Sequence, residues 1–318
     1  MRREARRRPW PAPARPTGRF GGMELERVGV VGCGLMGSGI AEVCARAGLD
    51  TVVVEVDDGA VAAGRSRIER SIGRAVGAGK MSDEERDRAF DQLRFSTSYD
   101  DLADRQLVVE AVIEREAEKV AVFSRLDAVV EERGAVLASN TSSIPIMKLA
   151  MATKRPEAVV GIHFFNPVPV LKLVELVTSL LTSDETVDTA EKFAEGVLGK
   201  HVIRSQDRAG FIVNALLIPY LLSAIRMLES GFATREDIDA GMVEGCAHPM
   251  GPLALADFVG LDTLGSICDV MFDEFRERRF ARPPTLRKML AAGWFGKKSG
   301  TGFYDYSGEA PVPNAGIA

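Results

Sequence analysis

The chain of 318 residues is 46% hydrophobic, enough to bury a large core and to build two domains. Its formal charge of −5 divides unevenly: residues 1–22 hold seven arginines against one glutamate, a net +6, which leaves −11 for the remainder. So acidic a body argues against a nucleic-acid binder, and four cysteines (Cys33, Cys44, Cys246, Cys268) without CxxC or metal-ligand spacing argue against a disulfide framework or a metal site.

The opening 22 residues are rich in Arg and Pro and have no apolar periodicity, so they cannot repay the entropy of ordering and are expected to form a disordered extension. The prolines also work against the amphipathic helix of a transit peptide. The longest apolar run, Phe211 to Leu228, is interrupted by Asn214, Pro219, Ser223 and Arg226 and reads as a buried helix rather than a membrane span. Together these features predict a cytoplasmic protein in a reducing compartment, with no membrane, nucleic-acid or metal partner.

From Arg27 short β-branched runs alternate with helical stretches: VGVVG, an Ala-rich segment, TVVVEV, a long charged helix, then QLVVEAV. Further strands are expected at Ala135–Ser139, Ala158–His163, Leu171–Thr178 and His201–Arg204, with a helix at Ser183–Leu198 before the last of them. That order predicts an α/β architecture, a doubly wound, mostly parallel sheet of the Rossmann type. After Asp207 the pattern turns to helices alone, at about Phe211–Ser230, Arg235–Gly245, Pro252–Arg279 and Thr285–Ala292. The predicted organisation is therefore an extension at 1–22, a dinucleotide-binding domain at 23–208 and an all-α C-terminal domain at 209–318. The apolar helix surface of that last domain exceeds what about 100 residues can hide, which predicts a homodimer through it.

Gly32-Cys33-Gly34-Leu35-Met36-Gly37 is a GxGxxG between a strand and a helix. Its first glycine permits a tight turn, its second the approach of a pyrophosphate, its third close packing of helix on strand. Glu55, 18 residues beyond Gly37 at the end of the next strand, is placed to accept from adenosine ribose hydroxyls and to repel a 2′-phosphate, which favours NAD over NADP. Asp57 and Asp58 read as caps of the following helix.

Of three histidines, His163, His201 and His248, only His163 ends an apolar strand, where ligands of open α/β sheets bind. A lone histidine in such a place is by default structural. Glu175 changes the reading, because it sits among apolar residues in LKLVELVTS and an unpaired carboxylate there costs several kcal/mol. If the Asn-Pro-Val-Pro turn folds the chain back about Pro169, residues 163 and 175 face each other. The pair would then be a general base with an orienting acid, fit to take the proton of an alcohol.

These residues carry a resemblance. Gly32–Ala41, Ala138-Ser139-Asn140-Thr141-Ser142-Ser143, His163-Phe164-Phe165-Asn166-Pro167-Val168-Pro169, Gly210-Phe211-Ile212-Val213-Asn214 and Phe295-Gly296-Lys297-Lys298 look like the motif series of the 3-hydroxyacyl-CoA dehydrogenases, from about Val28 to Tyr306. The resemblance implies interconversion of a (3S)-3-hydroxyacyl-CoA, such as 3-hydroxybutyryl-CoA, and a 3-ketoacyl-CoA with NAD. It implies that His163 is the base and Glu175 its partner, and that Ser142 and Asn214 hydrogen-bond the substrate. Glu114, Lys119, Asn166 and Lys298 would approach the nicotinamide-ribose half of NAD, and Ser71 the acyl-CoA. Three positions depart from the pattern: Ala209 and Ala215 stand where the family usually has Pro and Arg, and Ala78 stands where a CoA-binding lysine is common, with Lys80 nearby. Two other readings of the residues stay open, a dehydrogenase of a free hydroxy acid of the gulonate type and a non-catalytic NAD-binding structural protein.

Overall fold

The computed structural model describes residues 19, 20 and 23–317. The expected disordered extension lies outside these, apart from Arg19–Phe20 (β1), which pair antiparallel with Met23–Glu24 (β2). The chain divides into two compact units, one holding the residues up to Thr141 together with Ile146–Arg204, the other Ser142–Pro145 together with the residues from Ser205 onward.

The first unit is built on eight strands: β3 (Arg27–Val31), β4 (Asp50–Val54), β5 (Leu93–Ser96), β6 (Leu107–Glu110), β7 (Val136–Ser139), β8 (Val159–Phe164), β9 (Leu173–Thr178) and β10 (His201–Gln206). Their order is β10-β9-β8-β7-β6-β3-β4-β5, so the chain winds outward from β3 to one side and then, from β6, to the other. The pairs from β5 across to β8 are parallel, and β8 with β9 is antiparallel. Strands β3, β4, β6 and β7 are almost wholly buried, which is why they read as continuous runs of Val, Leu and Ala without polar alternation.

Helices α1 (Leu35–Arg46), α2 (Asp58–Gly77), α3 (Asp83–Asp91), α4 (Glu116–Val129), α5 (Ile146–Ala150) and α6 (Asp184–Glu191) accompany the sheet. Helix α1 turns Ile40, Ala41, Cys44 and Ala45 into the core beside Val28, Val30 and Val53. The side chain of Asp57 caps α2 by accepting from the Ala60 amide at 2.7 Å, as its position before the helix suggests.

Two expectations are corrected here. The single long charged helix between β4 and β6 is two helices and an edge strand. Ser82 and Glu85 form a reciprocal capping box that restarts the chain as α3 after Gly79, and Leu93–Ser96 then pair with β4. The helix expected through residue 198 leaves α-geometry after Glu191 and closes as a π-turn over Lys192–Val197.

The second unit packs α7 (Val213–Glu229), α8 (Arg235–Cys246), α9 (Pro252–Val259), α10 (Leu261–Phe275) and α11 (Pro284–Ala291) around Leu221, Ile225, Leu253, Leu264, Met271, Leu286 and Phe303. The helix expected at Pro252–Arg279 is two, because Gly260 adopts φ +97° and breaks it. A small antiparallel pair, β11 (Tyr304–Asp305) and β12 (Val312–Pro313), qualifies the all-helical expectation for this unit. It is tied down by Asp257, which accepts from the Phe303 and Tyr304 amides and the Tyr306 hydroxyl, and by Arg235, which donates to the carbonyls of Phe303, Asn314 and Ile317.

Candidate active site

Parallel register lines up the carboxyl ends of the central strands. Val31 pairs with both Val54 and Glu110, Glu110 with Ser139, and Ser139 with Gly161, two residues before His163. The glycine loop leaves this edge directly after Val31, at the point where the strand order reverses. Such switch points open a crevice for ligands.

The three glycines do different jobs. Gly32 takes φ +89°, and its amide donates to the Val54 carbonyl at 2.8 Å. A Cβ on Gly37 would lie 1.8 Å from the Gly32 carbonyl oxygen, so loop and helix meet there with no room for a side chain. A Cβ on Gly34 would meet nothing within 4 Å. Gly34 is also the N-cap of α1, which has no side-chain cap and no acidic residue in its first turn. Amides unclaimed by a cap, the positive helix end and open space at Gly34 fit a diphosphate. Leu35 is exposed and Met36 partly so at the same helix start.

Glu55 bonds back to this loop: one carboxylate oxygen accepts from the Cys33 amide and the other from the Val56 amide at 3.1 Å. From the other side α2 comes so close at Gly64 that a Cβ there would lie 2.6 Å from the Cys33 side chain, and Arg67 donates to the Cys33 carbonyl at 3.2 Å. Burial pushes the Cys33 thiol up to about 12, with the charge of Glu55 adding to the effect, so Cys33 is packing rather than a nucleophile.

Across β8 and β9 the register sets His163 opposite Glu175, as a fold about Pro169 requires. His163 Nδ1 lies 2.7 Å from Glu175 Oε2, with Glu175 wholly buried and His163 7% exposed. The carboxylate therefore holds the imidazole with its Nδ1 proton toward Glu175, which makes Nε2 the basic nitrogen. The ring of Phe165 lies 4.6 Å from that of His163 and tilted to it, and Asn140 Oδ1 accepts from the Phe164 amide at 2.9 Å. Asn166 follows on the surface of the turn.

Glu114 and Lys119, both expected at the nicotinamide ribose, belong to one network in which Lys119 and Glu110 are buried and Glu114 is exposed. Lys119 is 1% exposed and its Nζ reaches Glu110 at 2.5 Å and Glu114 at 3.3 Å. Glu110, wholly buried, also accepts from the Ser139 hydroxyl at 2.6 Å and the Val112 amide at 2.7 Å, while Thr141 donates to Glu114 at 2.6 Å. Lys119 thus sits between the two carboxylates of Glu110 and Glu114. Sequence reasoning passed over Glu110, although a carboxylate ending the apolar run QLVVE carries the same signal that identified Glu175. It also passed over Arg67 and Asn140, whose bonds depend on tertiary approach.

Ser71 is half-buried on α2, and Ala78 and Lys80 are exposed beyond its end. The remaining expected residues lie in the second unit. Ser142 is half-buried in the segment Ser142–Pro145. Asn214 is 8% exposed in the first turn of α7, which starts from two positive-φ residues, Gly210 and Phe211. Lys298 pairs with Asp262 at 2.5 Å, with its Nζ 5.8 Å from the centre of the Phe295 ring. Ala209 is buried, and Ala215 packs against the helical core. Among the described residues no cluster of His, Cys, Asp or Glu could hold a metal ion, and no helix is long and apolar enough to cross a membrane.

Residues 27–208 match the family model of the 3-hydroxyacyl-CoA dehydrogenase NAD-binding domain, and residues 210–306 that of the 3-hydroxyacyl-CoA dehydrogenase C-terminal domain. A 3-hydroxybutyryl-CoA dehydrogenase of Mycobacterium tuberculosis is 60% identical over 282 residues, which span 89% of this chain and 99% of the relative. The human mitochondrial hydroxyacyl-coenzyme A dehydrogenase is 42% identical over 290 residues, 89% of this chain and 91% of its own. Among solved structures, that of M. tuberculosis FadB2 superposes with a TM-score of 0.88 at 60% identity, covering 89% of this chain and 99% of that one. That of (S)-3-hydroxybutyryl-CoA dehydrogenase PaaH1 from Ralstonia eutropha gives 0.84 at 42% identity, covering 90% and 100%. The chain belongs to the 3-hydroxyacyl-CoA dehydrogenase family and is an NAD-binding oxidoreductase.

Proposed function

We propose that this enzyme interconverts (3S)-3-hydroxybutyryl-CoA and acetoacetyl-CoA, with His163 as the general base. The observation that carries the reading is the His163–Glu175 pair at the carboxyl edge of a sheet whose strand β3 runs into the GxGxxG loop at the start of α1. In the oxidative direction the 3-hydroxyl proton passes to His163 Nε2 as the C3–H bond breaks. NAD, held by the glycine loop and Glu55, would supply the acceptor for the hydride that leaves C3. Glu175 stabilises the imidazolium that forms and keeps the ring from turning.

The C4 acyl-CoA substrate is supported by the names of the similar relatives. Ser142 and Asn214 are assigned to the substrate's oxygens from their motifs, since a hydroxyl and an amide can hold an oxygen without competing for its proton. Ser71 is assigned to the CoA moiety in the same way. On the cofactor side, Gly32, Gly34, Leu35, Met36 and Gly37 would take the diphosphate, Glu55 the adenosine ribose, and Glu114, Asn166 and Lys298 the nicotinamide-ribose half, with Lys119 setting Glu114.

Residues 23–208 would form the NAD-binding domain and 209–318 the substrate-binding and dimerisation domain. The exposed Leu216, Phe232 and Val243 of the second unit support a homodimer, and the absence of disulfides among the four cysteines fits the cytoplasm. The test is NADH oxidation with acetoacetyl-CoA and with free acetoacetate. Turnover of the thioester alone supports the reading, and equal turnover of the free acid overturns it. Light scattering at micromolar concentration tests the dimer.

A further inference from the structure

The turn that joins His163 to Glu175 is tied down by a residue far along the chain. Lys200 follows the π-turn after α6 and Gly199, which takes φ +63°. Its Nζ donates to the Val168 carbonyl at 2.6 Å and to the Leu171 carbonyl at 2.8 Å. The amide of the next residue, His201, donates to the Lys172 carbonyl at 2.8 Å. Within the turn, the amides of Val170 and Leu171 donate to the Pro167 carbonyl at 3.0 and 2.9 Å. The opposite side of the turn rests on α1 at Gly39, where a Cβ would lie 2.8 Å from that of Val168. The turn is thus held between the cofactor helix and a lysine.

The surroundings of that lysine make the contact specific. Its ammonium is half-buried, with Arg46 near enough to disfavour its charge, and burial together with Arg46 holds its pKa below the ordinary lysine range against the opposing pull of Cys44 and Glu42. A cation in such a place needs acceptors, and two carbonyls of the turn supply them.

We infer that Lys200 is a positioning residue for the dehydrogenase reaction, clamping residues 167–171 so that Phe165 stays against the His163 ring and Asn166 stays directed at the cofactor. The inference rests on the proposed roles of His163 and Asn166. In this role Lys200 acts through the turn whose Val168 and Leu171 carbonyls it holds.

The test compares Lys200→Met, Lys200→Arg and His163→Gln by steady-state kinetics with acetoacetyl-CoA and NADH, and by hydrogen exchange of the Val170 and Leu171 amides. Lys200→Met is expected to lower kcat/KM by about tenfold or more, the cost of a displaced catalytic neighbour, with both a higher KM for NADH and a lower kcat. The two amides exchange faster, and Lys200→Arg, which keeps charge and donors, recovers part of each effect. Lys200→Gln replaces the Met variant if that one does not fold. Wild-type kcat and KM in a Lys200→Met protein whose turn amides do exchange faster would show a purely structural tie and overturn the inference alone. Full turnover in His163→Gln would overturn the underlying reading as well.

Discussion

His163 and Glu175 stand opposite each other in adjacent antiparallel strands, with Nδ1 and Oε2 2.7 Å apart and the carboxylate wholly buried. Neither the proton's place on the ring nor the ring's orientation can change without disturbing that contact. Glu175→Gln keeps the shape but offers an amide that can donate to Nδ1, which favours the wrong tautomer. The expected outcome is a fall in kcat of roughly 10²- to 10⁴-fold with NADH affinity preserved. Steady-state kinetics and NADH fluorescence titration check it, and an unchanged kcat would falsify the orienting role.

Gly34 and Gly37 are equally small but constrained by different things. A methyl on Gly34 enters open space in the protein, whereas one on Gly37 strikes the Gly32 carbonyl at 1.8 Å. Gly34→Ala should therefore leave the melting temperature near that of the wild type and lose most NADH binding, because the methyl takes the space of the diphosphate. Gly37→Ala should lower both. Calorimetry beside fluorescence titration separates the two, and equal thermal losses would contradict this division of labour.

These pairs also mark how much was legible beforehand. The buried strands and the glycine loop were readable because their residue types have few other uses: β-branched runs bury, and three spaced glycines answer three steric demands. The opposition of 163 and 175 was readable because a carboxylate within an apolar strand needs a partner and a Pro-rich turn fixes the centre of the count. Strand β5 was hidden because a four-residue edge strand, Leu93-Arg-Phe-Ser96, has one charged and two apolar positions and no room to show a period. The break at Gly260 was hidden because a single glycine is tolerated inside many helices, and only its φ of +97° reveals the cost. The clamp by Lys200 could not be read at all, since it is made by contact across about thirty residues of chain rather than by a local pattern.

Glu110 and Lys119 form an ion pair that water hardly reaches, 2.5 Å apart and nearly unexposed. Glu110→Gln leaves the buried lysine charge with Glu114, at 3.3 Å, as its remaining carboxylate among the described residues. The variant should lose about 3–5 kcal/mol of stability, measured by urea denaturation, and should bind NADH more weakly because Glu114 is no longer held. Adding Lys119→Met to the same chain should recover much of the stability but not the NADH affinity. Recovery of both would mean that Glu114 does not depend on the lysine.

Asp257 gives the second unit a pH dependence whose sign runs against that of ordinary acid unfolding. It is 1% exposed and accepts from two amides and the Tyr306 hydroxyl, yet burial outweighs those bonds and raises its pKa from 3.8 to about 6. The folded form thus holds a proton that the unfolded chain gives up nearer 3.8, so native Asp257 stabilises most below that value and loses the benefit as pH rises through about 6. The span corresponds to up to about 3 kcal/mol. Asp257→Asn removes the titration and replaces one of the accepting oxygens by a donor, so the variant should melt lower at every pH. Its deficit against the wild type should be larger at pH 4.5, below the raised pKa, than at pH 7.5, above it. Thermal unfolding of both proteins at the two pH values measures the difference. A deficit that grows toward pH 7.5 would mean that the three hydrogen bonds to the charged carboxylate, rather than its burial, dominate at this position.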